Sequence, residues 1–503
     1  MFEVISKQPI METNLQKFIS YSRILLFLII FSLPLSAQDT ISAEAISAVA
    51  ETPSEEHSEV LGYSISSSGI SIQSVLRGLL GVFFLLLLGY LFSANRRNIN
   101  WRLVLSGLGI QILIAVLVLN VPFFRILLDG VSAAFLKVLS FTSEGVKFLF
   151  GSFRFGQQII EEPLINFAIT ILPTVIFFSA LTSLLFYFGI LQKLVYALAW
   201  IMKKTMRLSG AESLAAAGNI FLGQTEAPLL IKPYIDKMTR SEVLCLMSGG
   251  MATIAGGVLA AYVTFLGGDD PVQQLFYAKH LITASVMSAP AAIVAAKLLL
   301  PETETFSDEM KISKDRIGNN FLEAISNGTT DGLRLAVNVG AMLLVFIALV
   351  TLVNFLFEGV IGHYTGLNIE IATLTQNRYS GLNMQFILGY LGAPVAWMLG
   401  VPNNDMLVVG QLLGQKTVLN EFYAYTQMGA LKSAGAFVYE KSLVMTTYIL
   451  CGFANFASIG IQIGGIGSLA PAKKSMLSQL GFRAMLAGTM ACLLTATVAG
   501  MFY

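Results

Sequence analysis

Three consecutive side chains, Gln224, Thr225 and Glu226, put an amide, a hydroxyl and a carboxylate inside the apolar stretch GAESLAAAGNIFLGQTEAPLLIKPYI (210–235). Such a set can read the hydrogen-bonding edge of a flat, neutral, polar ligand, and the same composition suits capping of local helix starts. A second carboxylate, Glu421, follows Asn420 in NDMLVVGQLLGQKTVLNEFYAY (about 404–426). Downstream, Asn455 and Ser458 lie three apart, so a continuous helix would present both on one face. An amide and a hydroxyl in an apolar span suit the vicinal hydroxyls of a sugar, and equally suit hydrogen bonding between helices. Phe453 could stack on a ring, although among 35 phenylalanines an isolated one usually serves packing. A cation site is also readable. Asn219 precedes the first polar cluster, and Met251-Ala-Thr253-Ile254-Ala-Gly-Gly257 interrupts an apolar run with adjacent glycines. An unwound turn there would free backbone carbonyls which, with side-chain oxygens, form a cage for a hard cation. With no carboxylate added, that cage suits a monovalent ion better than a divalent one.

The surroundings that must position these groups are lipid-like. Of the 503 residues, 55% are hydrophobic and 12% charged, about half the charged fraction of a soluble domain, roughly 25%. Net charge is +1, which argues against nucleic acid as a partner, since that requires a basic stripe. Cys245, Cys451 and Cys492 all sit in apolar runs, which fits neither a disulfide framework nor a zinc site. The chain therefore reads as an all-α integral membrane protein, with the bilayer as its main solvent.

Residues 1–37 read as a signal peptide, with Arg23 before the apolar run 24–35 and Ser36-Ala37 after it. Leu35 stands where a small residue is preferred, so an uncleaved anchor is the alternative, and Met11 is an alternative start. Residues 38–74 are rich in Ser and Glu, lack Lys and Arg, and read as an exported polar linker. The Lys/Arg distribution then threads eight spans: about 75–94, 102–122, 165–190, 241–266, 278–300, 333–358, 442–465 and 481–502. This leaves both termini outside the cytoplasm. The stretch holding Arg125, Lys137, Lys147 and Arg154 reads as an outer interfacial helix, and Gln192–Met206, amphipathic with Trp200, as another. Residues 301–332 form a cytoplasmic charged loop, and 386–401 an interfacial or half-membrane helix.

The stretches 210–235 and 404–426 are apolar enough to enter the membrane but are broken by polar and flexible residues. Backbone irregularity at that depth persists only where it lines a cavity, so each reads as a re-entrant hairpin, one from each side. Paired broken segments of this kind mark the substrate site of a secondary transporter. Glu226 and Glu421 are functional candidates by default, because a carboxylate at membrane depth is costly unless paired or hydrated. A channel is a competing class, but channels need rings of carbonyls or charges along a continuous pore. An enzyme is disfavoured: His57, His280 and His363 are scattered, and neither HExxH nor GxSxG stands out.

The blocks GNIFLGQTEAPLLIKPYI, GGMATIAGGVLAAYV, GQLLGQKTVLNEFYAY and CGFANFASIGIQIGG resemble the concentrative nucleoside transporter family, over roughly 75–503. The resemblance implies that Gln224, Thr225 and Glu226 contact the nucleobase. It implies that Glu421, Asn455 and Ser458 contact the ribose, with Val258 and Phe453 lining the pocket. It places sodium on Asn219, Leu222, Thr253 and Ile254, where Thr253 stands in place of the Ser of many relatives. Proton-coupled relatives tend to lack the Asn and carry Gln-Ser-Glu, so Asn219 and Thr225 favour sodium over the alternative, a proton. The family further implies a homotrimer with two parts. The scaffold comprises residues 75–190 and 333–360; the mobile transport part comprises 191–300 and 361–503. No organic cofactor is implied.

Overall fold

The computed structural model describes residues 71–503 except 155–156, 160–165, 307–308, 311 and 313–317. The expected signal peptide, the linker up to residue 70, and Lys311, Lys314 and Arg316 lie outside the described residues. The described chain is helical apart from a short antiparallel pair, Ser152–Arg154 with Gln157–Ile159. Among the described residues, eight helices are long and apolar enough to cross a membrane.

The first of these, α1 (Ile72–Leu91), is capped by Ser71, whose side chain accepts from the Ser74 N–H. It buries Ser74, Gly78, Gly81, Leu85 and Gly89, a stripe at helical spacing. Leu76, Leu80 and Phe83 on the remaining face are exposed, as lipid contact requires. Next comes α2 (Trp101–Asn120), whose buried Gln111 donates from Nε2 to the Met287 carbonyl at 3.1 Å. Pro122 then opens α3 (Pro122–Phe150), favoured at a first helical turn because its missing N–H is unneeded there. α3 is one unbroken helix of 29 residues, long and apolar enough to cross a membrane by length and composition.

After α3 follow α4 (Leu172–Tyr187) and α5 (Ile190–Met206), the latter with Tyr196 and Trp200 exposed. The polar segment 210–235 forms α6 (Gly210–Asn219), a turn, and the short helical stretches Ala227–Leu230 and Lys232–Ile235. The predicted span at 241–266 is two helices, α7 (Arg240–Ala252) and α8 (Gly256–Gly267), separated at Thr253–Ala255 as the glycines suggested. Then comes α9 (Pro271–Leu299). The helix α10 (Phe321–Asn354) begins about a dozen residues before the predicted 333, because Asn320 caps it by accepting from the Glu323 N–H. The charged loop is correspondingly shorter than 301–332. A π-helical stretch, Phe355–Gly362, continues α10. Through Gly328 and Gly332, one turn apart, α10 presses on α4; a Cβ at Gly328 would stand 2.5 Å from Ser183 Oγ.

After a short helix, Leu367–Leu374, come α11 (Met384–Met398), α12 (Met406–Val418), α13 (Glu421–Ser433), α14 (Glu440–Leu450), α15 (Phe456–Leu469) and α16 (Lys474–Gly500). The span expected at 442–465 is likewise two helices, α14 and α15, separated at Cys451–Asn455.

Two tiers emerge from burial. In α9 and α16 the most apolar window is 89% and 78% buried, whereas in α3 and α10 it is 17%. The central tier also repeats a motif. A helix–turn–helix (α6 with its turn, or α12–α13) precedes a broken helix (α7/α8 or α14/α15), and a long helix follows (α9 or α16). At one end of the first repeat a buried ion cluster ties its parts together. Lys297 of α9 pairs with Glu212 of α6 and with Glu302 at 3.2 Å, and donates to Ser241 of α7 at 2.9 Å. Two carboxylates and a hydroxyl around one ammonium satisfy charges that would otherwise be prohibitive to bury.

Candidate functional site

The two helix breaks touch each other at the centre of the molecule. Gly452 has a φ of +91° and lies against the other break: a Cβ there would stand 2.6 Å from the Ala252 carbonyl carbon and oxygen. Only glycine meets both demands, a left-handed backbone and a backbone-to-backbone approach. Turns at the tips of the two helical hairpins then close on these breaks.

On the first side, Asn219 is the last residue of α6 and is buried. Its side chain lies against α7, since a Cβ at Gly249 would be 2.6 Å from Asn219 Nδ2. Both amide atoms of Asn219 are buried without a hydrogen-bond partner, an expense of roughly 1–3 kcal/mol per group unless a ligand meets them. The turn that follows is anchored to the break, because the Gly256 N–H donates to the Phe221 carbonyl at 3.3 Å. Leu222 is buried in that turn, and Thr253 and Ile254 are buried in the break. The Thr253 hydroxyl donates to the Gly249 carbonyl at 2.9 Å. The predicted cation residues are thus brought together by one turn and one break.

Five residues beyond Asn219, Gln224 is buried, and its Nε2 donates to Ser458 Oγ at 3.4 Å while its Oε1 has no partner. Thr225 is exposed beside Gly465 of α15. Glu226 is half-buried and turns back on its own loop, where Oε2 accepts the Gly223 N–H at 3.2 Å. The capping role that composition allowed is therefore in use for one oxygen of Glu226. Val258 is buried on the first turn of α8.

On the second side, Glu421 opens α13 and is 3% exposed. Its Oε2 accepts from Asn455 Nδ2 at 2.6 Å, and its Oε1 from the Tyr262 hydroxyl at 3.4 Å. Tyr262 itself stacks on Tyr425, with ring centroids 4.3 Å apart. The expected shared helix face of Asn455 and Ser458 needs correction. Asn455 is the N-cap of α15, extended at φ −142°, and its Oδ1 accepts the Ser458 N–H at 2.9 Å. The pair still converges, through a cap rather than a face, because the break leaves the first N–H groups of α15 in need of acceptors. Phe453 is half-buried within the break.

Three participants escaped the sequence reading. Lys416 of α12 is fully buried and donates from Nζ to the carbonyls of Ile449 at 2.8 Å and Cys451 at 3.0 Å. A lysine in an apolar stretch is itself a functional signal, which attention to the nearby Asn-Glu pair obscured. Gln462 of α15 donates to the Met247 carbonyl at 2.9 Å, and its Oε1 is buried without a partner. Tyr262 gave no sign of its role, since nothing local to it foretells contact with Glu421, 159 positions away.

Taken together, the site offers buried amides, a carboxylate and a hydroxyl to a polar organic ligand, and a carbonyl-rich turn to a cation. Comparison with known proteins points the same way. Residues 80–153 and 280–500 match the N-terminal and C-terminal models described as Na+ dependent nucleoside transporter, and residues 168–269 match a model described as nucleoside recognition. The chain is 39% identical to the nucleoside permease NupC of Helicobacter pylori, over 86% of this chain and 98% of that protein. It is also 39% identical to sodium/nucleoside cotransporter 1 of Rattus norvegicus, over 84% of this chain and 63% of that longer protein. The solved structure of CNTnw in an inward-facing substrate-bound state superposes with a TM-score of 0.75 at 37% identity, covering 85% of this chain and 99% of that one.

Proposed function

This chain belongs to the Na+ dependent, concentrative nucleoside transporter family, and we propose that it is a sodium-coupled symporter taking nucleosides up by alternating access. It is a multi-pass membrane transporter and not an enzyme. The observation that carries sodium coupling is Asn219. Its two amide atoms are buried and unpartnered at the end of α6, against the break of α7/α8. With the Leu222 carbonyl, the Thr253 hydroxyl and the Ile254 carbonyl, it would supply neutral oxygens to a monovalent cation.

Gln224, Thr225 and Glu226 follow within a few residues of the ion ligands and would read the nucleobase edge. Glu421, Asn455 and Ser458 would take the ribose, with Val258 and Phe453 against the ring system. A cation that orders the Asn219 turn would raise nucleoside affinity, and by linkage the nucleoside would raise cation affinity equally. The peripheral tier, α1, α2, α4 and α10, would serve as scaffold. Its exposed apolar faces would meet lipid and the sister subunits of a homotrimer in the cell membrane, with both chain termini outside the cytoplasm.

Uptake into reconstituted vesicles, measured with sodium replaced by choline at fixed pH, tests the coupling. Uptake should collapse without sodium. Unchanged uptake that instead follows an imposed pH gradient would establish a proton-coupled symporter, and uptake that neither saturates nor concentrates would establish a channel.

A further inference from the structure

The repeated motif places two helix breaks in equivalent surroundings, and the hairpin beside each delivers one polar side chain from the last turn of its first helix. In the first repeat that residue is Asn219, the end of α6, facing α7. In the second it is Lys416, two residues before the end of α12, facing the end of α14. Asn219 brings a neutral amide with no partner. Lys416 brings an ammonium that already holds two carbonyls of its break, those of Ile449 and Cys451.

A helix break is electrically lopsided. The upstream helix ends in unpaired carbonyls with partial negative charge, and the downstream helix begins with N–H groups of partial positive charge. The second hairpin answers both ends. Lys416 sits on the carbonyl end of α14, while Glu421, five positions later, receives Asn455, the cap of α15. The turn that carries Phe453 and Asn455 is thereby pinned at its entry by a cation and at its exit by a carboxylate. A neutral C-cap could satisfy the same carbonyls without placing an ammonium in a fully buried site. The use of a charge there is informative.

We propose that Lys416 is a tethered cation: its ammonium fills, in the second repeat, the role that the first repeat leaves to the transported sodium ion, and it positions the Cys451–Asn455 turn for nucleoside. This rests on the sodium reading of the Asn219 site. Lys416 is a positioning residue, acting through Phe453 and Asn455 rather than touching the nucleoside. The arrangement explains how one repeat can respond to an ion while the other stays permanently organised.

The test uses Lys416→Met and Lys416→Gln in the full-length purified protein. Nucleoside binding is titrated by calorimetry across a sodium series balanced with choline, and the sodium-induced rise in melting temperature is measured without nucleoside. Nucleoside affinity should fall by about tenfold or more, the scale of losing charged hydrogen bonds, while the sodium-induced rise persists because it reads the first repeat. In Lys416→Gln, where the two carbonyls regain room for a free ion, nucleoside binding should depend more steeply on sodium, by about one unit of Hill coefficient. Wild-type affinity and steepness in either folded variant overturns the proposal. So does simultaneous loss of affinity and of the sodium-induced rise, which would mean that Lys416 merely holds the core together. If Lys416→Met does not fold, Lys416→Gln, which keeps a donor, carries the test. A wild-type protein with no sodium-induced rise would defeat the sodium reading alone, and the loss of affinity would still decide the role of Lys416.

Discussion

The two helix breaks share a backbone device and differ in what completes it. At Thr253–Ala255 the nearby side chain is an amide with both atoms idle; at Cys451–Asn455 it is an ammonium already bonded to two carbonyls. The first break is incomplete without a ligand and the second is complete without one. An unwound helix is therefore not in itself an ion site. On the sodium reading proposed above, what the neighbouring hairpin contributes decides whether the break waits for an ion or serves as a fixed wall for substrate. Gly452 presses the complete break against the incomplete one, so order gained at one has a short path to the other.

The largest expected effect comes from breaking the complete side. Glu421→Gln keeps the size of the side chain but removes the charge that receives Asn455 Nδ2 at 2.6 Å. A hydrogen bond to a charged group is worth about 1.5–3 kcal/mol, and the substituted amide can also turn a donor toward Asn455. Nucleoside affinity should fall by on the order of 100-fold, measured by calorimetry at saturating sodium. The sodium-induced thermal shift without nucleoside should change little. A variant that binds nucleoside as tightly as wild type would remove Glu421 from the site and erase the contrast between the breaks.

Asn219→Ala attacks the incomplete side, with a smaller effect on nucleoside binding. The amide would no longer meet the ion, so sodium should cease to raise nucleoside affinity. The loss should equal the coupling free energy, about 1–2 kcal/mol or roughly 5- to 30-fold at saturating sodium, the lower part of the usual range. Binding without sodium should stay near the wild-type value, because Gln224 and Ser458 remain in place. Titrations with and without sodium distinguish the two effects, and full sodium dependence in the variant would move the ion elsewhere.

The contrast between the breaks was half legible in the sequence. The first break announced itself through Thr253-Ile254-Ala-Gly-Gly257, although adjacent glycines alone do not mark a break, since Gly249-Gly250 and Gly464-Gly465 lie inside continuous helices. The second did not: in CGFANFAS a lone Gly452 is compatible with an unbroken helix, and only its close approach to Ala252 fixes the positive φ. That approach lies some 200 residues away in sequence and has no local signature. The same reason hid Tyr262 and the carbonyl partners of Lys416. Most spans were recoverable because lipid imposes length and apolarity on them. The boundary of α10 was missed because its first turns carry Glu323, Asn327 and Asp331, polar residues that a hydropathy reading assigns to a loop while the Asn320 cap starts the helix.

The smallest expected effect is also the finest probe of the incomplete break. The Thr253 hydroxyl donates its single proton to the Gly249 carbonyl at 2.9 Å, and a hydroxyl has one proton and two lone pairs. With the proton so committed, the oxygen can present only lone pairs to whatever lies beside it, as a cation ligand must. Thr253→Ser keeps this arrangement and removes a methyl group, so half-saturation by sodium should shift by less than about threefold, a few tenths of a kcal/mol. Thr253→Val keeps the shape and removes the oxygen, and should shift it by about tenfold, near the worth of one ordinary ligand oxygen. Sodium titrations of nucleoside binding measure both. A shift in Ser larger than that in Val would show that the methyl packing matters and the oxygen does not. The first break would then hold its ion through Asn219 and backbone carbonyls alone, which would bring it closer to the second break, where two carbonyls suffice for the Lys416 ammonium.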